Sequence, residues 1–147
     1  MKKRADFYLL NQTEKESSYR WACQLIYTAW KENKSVYVFC ENETEAKIMD
    51  DMLWTFKDIS FIPHQLMTEP VQSSLIRILI GYYAAPVSPP VAQMLLNLSQ
   101  TTPEFFENYS HIIEVVPQEP KERENARKSY KAYKQAHYEC VTHQDEV

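Results

Sequence analysis

The chain has one glycine, Gly81, in 147 residues. Glycine supplies positive φ and lets backbone approach a ligand closely, so phosphate-cradling loops depend on it. The turn between the first strand candidate and the first helix candidate, Asn11 to Ser18, contains none. Neither a dinucleotide fingerprint nor a P-loop can be drawn, and no nucleotide or other cofactor is expected. Long apolar runs are also missing. The longest, Leu75 to Ala85, is interrupted by Arg77 and is too short to span a bilayer. Met-Lys-Lys-Arg at the start leads to Asp6 rather than to an apolar core, so no signal peptide is read. Cysteine is scarce. Cys23, Cys40 and Cys140 are odd in number and widely scattered, which fits reduced thiols in a cytoplasmic protein.

Catalytic and metal constellations are thin. His137-x-x-Cys140-x-x-His143 carries ligand types, but no paired CxxC or HExxH accompanies it, and it reads as a surface tail without a metal. Asp50 and Asp51 are adjacent, so on a helix they point about 100° apart and do not converge for acid–base work. His64 follows Pro63 and reads as a structural loop histidine. A small enzyme using His64 near the strand ends is the catalytic rival, and it would need converging polar groups there.

What the chain does have is aromatic weight (ten Tyr, six Phe, three Trp) in a length suited to one domain with its own core. Ala5 to Leu10 reads as a buried strand and Ser17 to Lys31 as a helix, capped by Ser17 or Ser18 and closed by Asn33. Val36 to Cys40 is a second strand. Asn42 with Glu45 three residues on resembles a capping box, opening a helix with Ala46, Met49, Met52, Leu53 and Phe56 on one side. Ile59 to Ile62 is a third strand candidate, His64 to Ser74 a loop, and Leu75 to Tyr82 a further strand. A connector with Pro86, Pro89 and Pro90 leads to the short apolar run Met94 to Leu98. Thr102-Pro103 opens a small helix through Tyr109, and His111 to Val116 is a final strand. The alternation predicts a single α/β domain over residues 1–147, with a mainly parallel sheet covered by helices on both faces and a loose tail from about 139 to 147.

The net charge is −4, yet Lys121 to Tyr138 carries Lys121, Arg123, Arg127, Lys128, Lys131 and Lys134. As a helix it has Pro120 at its start, Glu122 and Glu124 in the first turn and bases towards the end, as the macrodipole favours. Arg123, Arg127, Tyr130 and Lys134 share one face, with Lys131 beside them. A cationic stripe holding an aromatic ring suits an anionic, partly aromatic partner, either an acidic peptide or nucleic acid. The acidic remainder argues against coating nucleic acid directly, although a single-stranded nucleic-acid binder remains the second rival.

Several segments in order resemble the chi subunit family of the bacterial DNA polymerase III holoenzyme. They are Phe7-Tyr8-Leu9, Asp50-x-x-Leu53-Trp54, Phe61-Ile62-Pro63-His64, Leu95-Leu96-Asn97-Leu98, Glu114-Val115-Val116 and Arg127-x-x-Tyr130-Lys131-x-Tyr133-Lys134. The resemblance implies a Rossmann-like domain without catalytic activity, acting as a replication adaptor in the cytoplasm that meets DNA only indirectly. It implies two contacts: the psi subunit, which ties chi to the clamp loader, and the acidic C-terminal tail of single-stranded DNA-binding protein, which ends in an aromatic tip. The tail site would fall on Arg127, Tyr130 and Lys131, with Arg123 and Val116 at its border and Lys134 nearby. The psi contact would fall on Trp54 and Phe61, beside Leu53. Lys134 stands where the family commonly has arginine, and the C-terminal CVTHQDEV matches little.

Overall fold

The computed structural model describes residues 3–55, 64–66, 78–82 and 93–144. Seven strands, β1 (Arg4–Leu9), β2 (Val36–Phe39), β3 (His64–Leu66), β4 (Ile78–Gly81), β5 (Met94–Asn97), β6 (His111–Val116) and β7 (Glu139–Gln144), form one sheet in the order β3-β4-β2-β5-β6-β1-β7. Every pairing is parallel. Parallel strands require crossovers, and three α-helices are described: α1 (Lys15–Lys31), α2 (Glu43–Thr55) and α3 (Pro120–Gln135).

The interior strands read as unbroken apolar runs because both of their faces are covered. On one face Ala22, Cys23 and Ile26 of α1 and Met49 and Leu53 of α2 bury Val36, Val38, Ile80 and Leu96. On the other, Tyr133 of α3 packs with Ala5, Phe7, Tyr37, Leu95 and Ile112. This is the parallel α/β sheet that the alternation of elements implies, in the Rossmann-like form that the family resemblance implies.

Helix ends follow local chemistry. Asn42 Oδ1 accepts the Glu45 N–H at 2.9 Å while Glu45 Oε1 accepts the Glu41 N–H at 2.8 Å, a capping arrangement of the kind expected there. Asn33 closes α1 in the left-handed region at φ 63°. At the start of α1 the expectation was a turn late. The helix begins at Lys15 with Glu14 at the N-cap, and Ser18 is buried inside it.

Three other differences matter for function. His64, expected in a loop, opens β3 and pairs with Ile78. The small helix expected from Thr102 shrinks to a single 3-10 turn, Phe106–Asn108. The expected loose tail is ordered over Glu139–Gln144, paired along its length with β1. A lone six-residue segment with weak alternation offers no clear amphipathic signal for this; its pairing comes from the edge that β1 presents. The Ile59 to Ile62 strand candidate, the proline-rich connector and Phe61 lie outside the described residues.

Candidate functional site

The basic helix is built as its sequence suggests. Glu119 caps it, its carboxylate accepting the N–H groups of Lys121 and Glu122 at 3.0 Å each, and Pro120 occupies the first turn. Ser129 and Tyr133 turn inward. The Tyr133 hydroxyl donates to Glu114 Oε2 at 2.6 Å, and Asn97 Nδ2 donates to the same oxygen at 2.8 Å. Burial pushes the Glu114 carboxyl up to about 7, against the pull of those two donors. Ser129 shares a 2.7 Å hydrogen bond with Thr102. These anchors fix how α3 is rotated on the sheet and therefore which side chains it turns towards β1 and β7.

Between α3 and the outer part of the sheet lies a cavity of about 240 Å³. Phe7 and Leu9 of β1, Thr142 of β7 and Ala126 and Tyr130 of α3 line it, with Arg123 and Arg127 contributing charge. Positions 123, 126, 127 and 130 are one helical face. The Phe7 and Tyr130 rings lie 5.4 Å apart at 51°, a tilted pair that forms the aromatic floor. The volume falls below the range of roughly 300–1,000 Å³ typical of whole small-molecule ligands. It suits a side chain or two, with positive charge at the opening.

The two arginines differ. Arg123 is half-buried, and its guanidinium donates to the carbonyls of Pro117 at 3.1 Å and Leu10 at 2.8 Å, tying the ends of β6 and β1 to α3. Arg127 is exposed. Lys131 and Lys134 are exposed on α3 and do not line the cavity, although the Lys134 ammonium stands 5.8 Å from the centre of the Tyr130 ring. Val116, expected at the border, is 2 % exposed and packs in the core beneath α3, so it supports the site from below.

Of the second group, Trp54 stands 49 % exposed at the end of α2. Leu53 is 1 % exposed and belongs to the core, because its position on α2 faces the sheet with Met49. It can shape that surface only through its neighbours.

Sequence reasoning missed Phe7, Leu9, Ala126 and Thr142. The i, i+3, i+4, i+7 spacing from Arg123 could have found Ala126, and strand alternation places Phe7 and Leu9 on one face. Nothing local signals Thr142, which needs the long-range pairing of β7 with β1.

At the carboxyl edge of the sheet, where open α/β folds take their ligands, side chains bridge the ends of the described strands β1, β2, β5 and β6. Lys15 Nζ reaches Glu122 at 3.4 Å and the Leu98 carbonyl at 3.5 Å, Tyr19 donates to Glu45 at 2.8 Å, and Gln100 binds Glu41 and Glu122 at 2.8 Å each. His64 lies at the start of β3, the opposite end from that edge, so the histidine-based enzyme loses the placement it needed.

Fold and site together define a Rossmann-like domain with an apolar, aromatic cavity under a basic helix. Comparison with known proteins gives the particular family. The DNA polymerase III chi subunit, HolC, family matches residues 1–141. The chain is 30% identical over 140 residues to DNA polymerase III subunit chi of Pseudomonas aeruginosa, covering 95% of each. It is 30% identical over 139 residues to the subunit of that name from Haemophilus influenzae, covering 89% of this chain and 90% of the other. It is 29% identical over 145 residues to that of Escherichia coli, covering 95% and 97%. The chain belongs to the DNA polymerase III chi subunit family, accessory proteins of the replication polymerase complex, and its relatives carry the name of that subunit rather than of a catalytic enzyme. No helix among the described residues is long and apolar enough to cross a membrane.

Proposed function

We propose that this chain is a cytoplasmic replication adaptor that links the clamp loader, through a psi subunit, to the acidic C-terminal tail of single-stranded DNA-binding protein. The observation that carries the reading is the cavity under α3, apolar and aromatic at its floor and cationic at its rim. An aromatic chain end seated against Phe7, Leu9 and Tyr130 supplies the desolvated anchor. Arg127 meets the terminal carboxylate or an acidic residue, with two-pronged geometry available to a guanidinium. Lys131 and Lys134 attract the acidic residues behind the tip, speeding encounter more than they tighten the complex. Trp54, half exposed at the end of α2, is the contact for the psi subunit, as large aromatics at exposed edges are favoured anchors.

Calorimetry with an acidic, phenylalanine-ended peptide tests the tail site. Arg127→Ala lowers affinity about ten-fold or more, since charge-assisted contacts at a buried anchor are worth roughly 1.5–3 kcal/mol. Unchanged affinity at moderate salt overturns the placement. Trp54→Ala leaves peptide affinity intact while weakening the second interface, and equal loss of both points to misfolding. Bare single-stranded oligonucleotide binds weakly because the rest of the surface is acidic, whereas tight binding favours the direct nucleic-acid reading.

A further inference from the structure

Thr142 and His143 are successive residues of β7, so their side chains leave opposite faces of the sheet. Thr142 pairs with Phe7 and lines the cavity beside it. On the far face, His143 Nε2 lies 2.8 Å from Asp6 Oδ1, and its ring stacks on Tyr8 at 4.3 Å with 10° between planes. Asp6 is 2 % exposed and is held from two further sides, by Arg4 at 2.8 Å and by His111 Nε2 at 2.7 Å. The Tyr8 ring in turn rests on Trp21 of α1 at 4.4 Å. Among the described residues β7 is an edge strand with β1 as its single neighbour, so that the described backbone ladder holds it from one side. Thr142 and His143 lie just past the stretch that the family comparison matches, which ends at residue 141.

We propose that β7 is a working wall of the peptide cavity, clamped to β1 by the His143–Asp6 contact, so that Thr142 touches the bound chain end and His143 is a positioning residue for it. The proposal rests on the peptide-binding reading of the cavity and adds a specificity element to it. The Thr142 methyl and hydroxyl limit how far an aromatic tip can slide outwards between α3 and the sheet. His143 acts through the backbone: one residue along, its clamp sets the distance of that wall from Phe7. Releasing the clamp loosens the wall without touching Arg127, Lys131 or Lys134. The consequence falls on dissociation, because the charges that steer encounter are unchanged.

The test uses the full chain and a short acidic peptide ending in phenylalanine with a free carboxylate, followed by surface plasmon resonance. Thr142→Trp, an exposed substitution that fills the cavity, costs about ten-fold or more in affinity. His143→Ala raises the dissociation rate about three- to ten-fold with the association rate within about two-fold. It also accelerates amide hydrogen exchange along Glu139–Gln144. His143→Gln, which can still donate to Asp6, recovers most of the dissociation rate and of the protection. Wild-type affinity in Thr142→Trp removes the wall. Faster exchange of β7 in His143→Ala with an unchanged dissociation rate removes the positioning role, as does failure of the glutamine to rescue. If wild type itself ignores the peptide, the peptide-binding reading falls and takes this inference with it, an outcome distinct from the variant-specific ones.

Discussion

A methyl group on Gly81 would land on the Tyr37 hydroxyl and come within 3.0 Å of the Tyr37 Cε1. The chain's one glycine is thus retained by packing: an aromatic ring on β2 lies across its partner strand where a Cβ would be. Its φ is not positive, so conformational freedom is not the reason. Gly81→Ala is expected to destabilise by about 1–3 kcal/mol through overpacking, read as a shift of the urea midpoint at unchanged slope. Tyr37→Phe removes the clashing hydroxyl, so a double-mutant cycle gives a coupling of roughly 0.5–3 kcal/mol in the favourable direction. A strictly additive cycle rejects the clash. At the same scale the two arginines of the cavity separate by experiment. Arg123→Ala leaves the Leu10 and Pro117 carbonyls without their cationic donor and lowers stability by about 1–3 kcal/mol. Arg127→Ala leaves the unfolding midpoint where it was and acts on binding alone.

Among elements, α3 shows most clearly what local sequence can specify. Pro120 in the first turn and the shared face of Arg123, Arg127 and Tyr130 follow from short-range rules, and both are present. Its C-terminal end is less obvious. The helix stops at Gln135, short of Tyr138, because His137 takes the left-handed region at φ 70°. A side chain there costs about 1–2 kcal/mol. His137→Gly is expected to stabilise by about 0.5–1 kcal/mol and to raise Tm by roughly 1–4 °C for a domain of this size. An unchanged or lower Tm shows that the histidine is compensated by contacts of its own. The strands divide similarly. His111 to Val116 was legible as an apolar, β-branched run with its observed bounds. β7 was not, since Glu139–Gln144 alternates weakly and gains its place from a partner more than a hundred residues away. Asp6 was equally opaque. An acid inside a buried strand is intelligible only once Arg4, His111 and His143 arrive from three strands, β1, β6 and β7. Half of the cavity was therefore readable, the helical half. The sheet half required knowing which strands are neighbours.

For the molecule as a whole, two buried carboxyls bend stability against pH in opposite directions. Burial pushes the Asp6 carboxyl up, but hydrogen bonds from Arg4, His143 and His111 outweigh it and hold the group at about 2, below the usual 3.8. Its contribution is present above pH 3.8 and is lost as pH falls through about 2. Burial dominates at Glu114 and raises it from 4.5 to about 7. Its contribution is complete below pH 4.5 and is lost as pH rises through about 7, because the native state must then hold a charge that the unfolded chain carries at no cost. The two together favour a narrow optimum near pH 4, where Asp6 is ionised and Glu114 is not. Denaturant titrations at fixed ionic strength check this. From pH 4.5 to 7 the wild type is expected to lose of order 1–3 kcal/mol more than Glu114→Gln, whose amide can still accept from Tyr133 and Asn97. The comparison isolates this carboxyl, since every other titrating group is common to both proteins. Asp6→Asn acts on the acid limb, flattening the loss below pH 3.8. If Glu114→Gln keeps the wild-type slope across the neutral limb, Glu114 is ionised in the native protein throughout, and the anchor that sets the rotation of α3 is a charged one.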